Sequence, residues 1–365
     1  MTEQLTAIEW DKPIFPVFPD PEWEAEVKRV TGGVADVYRR IASVPWLRNS
    51  ALSLEKYHPH HISQRLIDII ALVSAQENAC RYCYGVVRSQ MKLLGHSESY
   101  INKLEREVQL AELNEKDRVF VSFCRSLARS SPRPAKLERQ NLLDQGFTPQ
   151  AVAEVVVVIA MNCFFNRVAT FVASEPELKL ERLADGMASY LFRAIGPVVR
   201  PMRERKARKR QSQPQKPASG MNATLFGKLI DSLEGIQATP VLVQILEDCF
   251  TSSRLPYRTK ALIFAVVART LDCDICQNEM ARELLKEGMS AEKVESCLTA
   301  LDLPELEPYE SKILEWTRNT VHYQPSQIQK RTRHLVEAIG EETALEAIGV
   351  ASLANSVIRI AMLIK

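Results

Sequence analysis

The sequence predicts an all-α protein built from two similar helical halves. The first sign is a recurring motif: Cys80-Arg81-Tyr82-Cys83 returns as Cys273-Asp274-Ile275-Cys276, displaced by 193 positions, and Gly95-His96-Ser97 returns as Gly288-Met289-Ser290 with the same displacement. The second is the character of the apolar segments. Leu66 to Ala75 and Ala261 to Ala268 carry strong helix formers at helical spacing. The third is composition: 13 glycines in 365 residues and no alternating Val/Ile/Thr run leave nothing that reads as a sheet.

In chain order, residues 1–22 read as an extended arm, because WDKPIFPVFPDPEW combines prolines with aromatic side chains suited to lying over a neighbouring surface. Residues 23–199 form the first helical domain. In it an apolar helix leads through a short turn into Cys80-x-x-Cys83 and a helix stopped at Gly95. A charged amphipathic helix, a break at Pro134 and a closing apolar helix follow. The run VVVVI (155–159) suits a strand by its β-branching. It is read as helix because its counterpart, ALEAIGVASLANSVIRIAMLI, has helical spacing. Residues 200–222 are a basic flexible linker, rich in Arg, Lys, Gln, Pro and Ser with little to bury. Its cationic run, Arg203 to Arg210, offers contact with nucleic acid or an anionic membrane surface; a solvated linker is the simpler reading. Residues 223–365 form the second domain, with Pro240, Pro325 and Arg359 answering Pro45, Pro134 and Arg167. The linker reaches about 25 Å as a flexible coil, enough for the halves to pack against each other.

Composition excludes several classes. Hydrophobic residues at 46% and charged residues at 25% are ordinary for a globular chain, and a net charge of +2 gives no whole-molecule field for nucleic acid. MTEQLTAIEW lacks a basic n-region and an apolar h-region, and the most apolar stretch, VAEVVVVIAMNCFF (152–165), is short for a membrane span. The expectation is a cytoplasmic protein. Eight cysteines are too sparse for a secreted disulfide scaffold, and four of them form the two pairs, which points to thiol or metal chemistry.

Cysteines at i and i+3 share a helix face, so their sulfurs can meet. With Asn78 and Asp272 as N-caps, Cys80 and Cys273 fall in a first helical turn, where unpaired N–H groups and the helix dipole stabilise a thiolate. Such a site draws a thiol from about 8.5 toward neutrality. Three uses are open to the pairs: redox chemistry, an inert place in the core, or zinc, which needs four ligands and finds no finger spacing here. Cys124, Cys163, Cys249 and Cys297 fall on apolar faces and read as buried small hydrophobes.

The segment DIIALVSAQENACRYCYGVVRSQMKLLG (68–95) resembles the core of the alkylhydroperoxidase D-like, or carboxymuconolactone decarboxylase, family. The resemblance rests on Asp68 twelve residues before Cys80, on Tyr82 within the pair, and on Gly95 at the helix end. NLLDQGF (141–147) and FNRVATF (165–171) look like the closing helices of its peroxidase-related branch. The resemblance implies a duplicated alkylhydroperoxidase D-like unit, association into trimers or hexamers, and thiol-dependent reduction of hydroperoxides with no cofactor and no metal. By the same resemblance Cys83 attacks the peroxide, Cys80 resolves it, and an external dithiol reduces the disulfide. Asp68 assists, and Cys273–Cys276 is a second, weaker site.

Two departures stand out. The family's histidine position is Val87 in the first half and Met280 in the second, and the acidic position of the second half is Ala261. General acid–base assistance is worth about 10²–10⁴-fold, so another group should relay the proton. The candidates are Glu77, Tyr82 and Tyr84 beside the first pair, Glu279 in the second half, and the loop YHPHHIS, where His60 or His61 (and His58) could fold over the thiols. The alternative is a non-catalytic or redox-sensing scaffold. Decarboxylation of a lactone acid is weaker, since no convergent cationic pocket is legible.

Overall fold

The computed structural model describes residues 9–106, 112–129, 136–186, 226–233, 236–301, 304–322 and 324–364, together with 195, 201, 202 and 205. Among them are eighteen α-helices and no strand. Three helices open the first half: α1 (Pro21–Thr31), α2 (Asp36–Arg40) and α3 (Pro45–Lys56). A series of six follows: α4 (Gln64–Glu77), α5 (Arg81–Leu93), α6 (Glu98–Glu105), α7 (Glu115–Arg129), α8 (Lys136–Asp144) and α9 (Pro149–Phe171), with α10 (Leu178–Asp185) behind them. The second half opens with α11 (Gly227–Ser232) and α12 (Ala238–Thr251). Its own six are α13 (Tyr257–Thr270), α14 (Asp274–Lys286), α15 (Ala291–Ala300), α16 (Pro308–Thr320), α17 (Pro325–Ile339) and α18 (Glu341–Ile364). The VVVVI run lies inside α9, as helix.

Local chemistry sets the boundaries. Ser63, Ser97, Thr148 and Ser290 each accept a backbone N–H with the side chain and so start α4, α6, α9 and α15. Gly95 and Gly288, at φ 79° and 86°, take the left-handed turn that ends α5 and α14. The matched positions behave alike. Ala79 and Asp272 both adopt positive φ, 44° and 54°, in the tight turn ahead of the cysteines. The Ser97 and Ser290 hydroxyls accept from Tyr100 N and Lys293 N, respectively.

The core is centred on α9 and α18, which pack along each other. Both are long and apolar enough by composition to cross a membrane, yet 78% and 100% of their apolar windows are buried within the protein. The α3 helix likewise packs on its counterpart α12. Both contacts join helices at matching places along the two halves, the pattern that a self-complementary interface produces. Trp46 of α3 reaches across to α18, donating its indole N–H to Glu346 at 2.7 Å. Ser356 of α18 donates to the Ala160 carbonyl of α9 at 2.9 Å. Arg167 of α9 is fully buried and donates to the carbonyls of Thr320 and Val321 in the second half. The N-terminal arm crosses both halves. Its Trp10 indole donates to Ser174 O at 2.8 Å, and Asp11 pairs with Arg333 at 2.8 Å. Pro134 and most of the 200–222 segment, including all but Arg205 of the cationic run, lie outside the described residues.

Candidate functional site

The turn between α4 and α5 places the first cysteine pair. Asn78 and Asp272 do not cap the following helices as the sequence suggests. Asn78 ends α4, and after the left-handed turn at Ala79 Cys80 is itself the N-cap of α5; Cys273 takes the same role on α14. The Cys80 sulfur accepts the backbone N–H of Cys83 at 3.3 Å, standing where a serine oxygen would in an ordinary cap. The two sulfurs lie 2.7 Å apart in the first half and 3.2 Å apart in the second, all as free thiols. Cys80 is fully buried and Cys83 half-buried, so of the two Cys83 is the one a reactant can meet. The helix start does not bring its thiol toward neutrality. Burial and the adjacent Cys80 sulfur push the Cys83 pKa well up, outweighing the backbone N–H groups.

One turn beyond Cys83, Val87 lines a pocket of about 530 Å³ between α3, α4, α5 and α9. Asp68 faces the same pocket, as do Glu55, His58 and Gln90, while Ala71, Met91, Val158, Met161 and Phe165 make its apolar wall. Asp68 accepts from Gln64 Nε2 at 3.0 Å. The fold therefore brings Asp68 and Val87 to one hollow. Among the described residues no group of three or more His, Cys, Asp or Glu side chains converges to hold a metal ion.

The other relay candidates are placed differently. Glu77 is bound by Arg125 and Arg129 of α7 and has little solvent contact, so its carboxylate serves an ion-pair network instead of solvent or the thiols. Tyr84 is buried and donates to Glu105 at 2.7 Å. Tyr82 is buried beside the pair, and burial together with charge at Cys83 raises its pKa. The backbone N–H groups of His60 and His61 both donate to buried Glu154, at 2.7 and 2.5 Å, which anchors the loop to α9. That anchoring turns His58, not His60 or His61, to the pocket. Glu279 is held by Arg282 and by the backbone N–H of Phe226.

At the matching positions of the second half two lining residues become bulkier: Ala71 is answered by Phe264 and Val87 by Met280, both fully buried, while Asp68 is answered by the smaller Ala261. Phe226, ahead of α11, packs its ring 5.5 Å from Phe264 and is 2% exposed. Tyr257, at the place of Gln64, closes over the site by donating to Glu283 at 2.8 Å. Cys273 and Cys276 are sealed beneath, at 1% and 0% exposure. Cys124, Cys163, Cys249 and Cys297 are buried as the sequence indicates.

Two groups escaped the sequence reading. Glu55 and Tyr38 lie well before the motif, on α3 and α2, and no spacing ties them to it; only their shared hydrogen bond, 2.7 Å from Tyr38 Oη to Glu55 Oε1, places them at the site.

An all-helical chain with a thiol pair at a helix start beside a pocket is the class that fold and site define. The model of the carboxymuconolactone decarboxylase family matches residues 238–319, a segment running from α12 into α16 and holding Cys273 and Cys276. No curated protein and no solved structure matches the chain.

Proposed function

We propose that the chain is a thiol-dependent reductase of hydroperoxides, made of two copies of a unit similar to the peroxidase-related, alkylhydroperoxidase-like branch of that family. The observation that carries the reading is the meeting of Cys80 and Cys83 sulfurs at 2.7 Å, one helical turn from a pocket lined by Asp68 and Val87. In the proposed cycle the Cys83 sulfur attacks the distal peroxide oxygen. The S–O bond forms, the O–O bond breaks, and the departing alkoxide takes up the thiol proton to leave as an alcohol. Cys80 then displaces water from the sulfenic acid to give the disulfide, and an external dithiol reduces it while becoming oxidised. A homo-oligomer in a reducing cytoplasm completes the reading.

The test is hydroperoxide consumption with dithiothreitol as reductant. Turnover is expected from the intact protein, to be lost in Cys83→Ser and kept in Cys276→Ser. Turnover that survives Cys83→Ser overturns the proposal. The second reading, a redox-sensing scaffold, is favoured by the raised Cys83 pKa, which holds down the thiolate population. It predicts a disulfide that forms with oxidant but sustains no catalytic turnover.

A further inference from the structure

We infer that Glu55 is the proton-transfer group of the first site, oriented by the Tyr38 hydroxyl, and that it does the work a histidine at Val87 would do; this rests on the peroxidase reading. Glu55 lines the same pocket as Val87 and Asp68, and Val87 lies one helical turn beyond Cys83 on α5. Its Oε1 accepts the Tyr38 hydroxyl at 2.7 Å, and Tyr38 is 4% exposed, held by its ring against Trp23. A buried hydroxyl on a fixed short helix is a rigid guide for a carboxylate on the next one. Glu77 is engaged with two arginines and Tyr84 with Glu105, and the loop that Glu154 anchors leaves His60 and His61 out of the pocket lining, whereas His58 and Asp68 share the pocket with Glu55.

The surroundings suit the task. Glu55 is a solvent-exposed residue of α3; the packing around its carboxylate raises its pKa above the ordinary carboxylate range, while the Tyr38 hydrogen bond pulls it down. The titratable or charged groups facing the pocket are Arg29 from α1, Tyr57 and His58 from the loop after α3, and Asp68 from α4; the lining residues of α5 and α9 are uncharged. The proton balance is simple. Glu55 takes the proton of Cys83–SH as sulfur attacks and returns it to the alkoxide released by O–O cleavage, ending the step unprotonated as it began.

The experiment is single-turnover oxidation of Cys83 by cumene hydroperoxide, quenched by alkylation, from pH 5 to 9. Glu55→Gln is expected to slow the step by about 10²-fold, with partial recovery in Glu55→Asp. Tyr38→Phe removes the bond that favours the carboxylate, so the rising limb of the rate profile should move to higher pH, a shift that lost packing alone does not produce. Thermal melting of both near-isosteric variants guards against misfolding. A reactive wild type with unchanged rate and profile in Glu55→Gln and Tyr38→Phe overturns this assignment alone. A wild-type Cys83 that no hydroperoxide oxidises overturns the peroxidase reading and the assignment with it.

Discussion

Lys260, a residue that no motif marks, sits fully buried next to fully buried Glu346, 3.7 Å apart. Its ammonium donates to the carbonyls of Cys249 and Ser252, at 2.7 and 2.5 Å, while the Ser252 hydroxyl and the Trp46 indole serve the carboxylate. Removing one partner of such a pair strands the other charge, at a cost of about 3–5 kcal/mol. Lys260→Met is therefore expected to destabilise the protein by about that much in urea unfolding, and Lys260→Met/Glu346→Gln to recover most of the loss. The pH dependence has a defined sign. Burial lowers the Lys260 pKa below its ordinary 10.5, so between the folded value and 10.5 the unfolded chain binds more protons. The contribution of this group to stability rises with pH across that window, and the gap between wild type and Lys260→Met should widen there. At this scale the sequence was legible where chemistry is local. The thiol pairs announce themselves by spacing and Asp68 through the family resemblance of its segment, whereas Glu55 with Tyr38 and Lys260 with Glu346 meet only through tertiary packing.

Helices are the scale at which the sequence speaks most clearly. Ser, Thr and Pro mark the starts and Gly95 and Gly288 the stops, because each satisfies or tolerates a specific backbone need at a helix end. The two misplaced caps share a physical reason: Asn78 ends α4 before the left-handed turn at Ala79, and Asp272 itself takes that turn, so the first cysteine of each pair becomes the cap. The sealing of the second site was half legible, in the exchange of Ala71 for Phe264; the other half comes from Phe226, just ahead of α11. Phe226 is fixed by its ring against Phe264 and by its backbone N–H on Glu279 at 3.2 Å. Phe226→Ala should open a void over Cys276 at a cost of about 3–5 kcal/mol. Native-state alkylation of Cys276 is expected to quicken at least about tenfold, scaling with that local opening, while buried Cys124 stays protected. Equal acceleration at both cysteines would mean global loosening, and no acceleration would mean that Phe226 is not what seals the site.

The whole molecule depends on how the two halves share one core. Their meeting was expected from the linker's reach, but not the means: α9 on α18, α3 on α12, and the arm laid across both. Trp46 is the clearest cross-half anchor. It stacks where α18 presents Gly349, and a Cβ there would stand 2.8 Å from the indole ring, so a side chain at this position must push Trp46 or α18 aside. Glu346, one turn earlier on α18, then holds the indole N–H. Two consequences follow for a chain cut between its halves. Trypsin, directed by sequence to the Arg203–Arg210 run, should leave fragments that still migrate as one species in gel filtration, since separation would expose the apolar faces that α9 and α18 bury against each other. Gly349→Val should weaken that association by about 1–3 kcal/mol through overpacking. The cut variant is then expected to separate at lower urea than the cut wild type. Fragments of the wild-type protein that part as stable monomers without denaturant would show that the interface adds little to either half, and the shared core would have to be abandoned as the basis of the fold's stability.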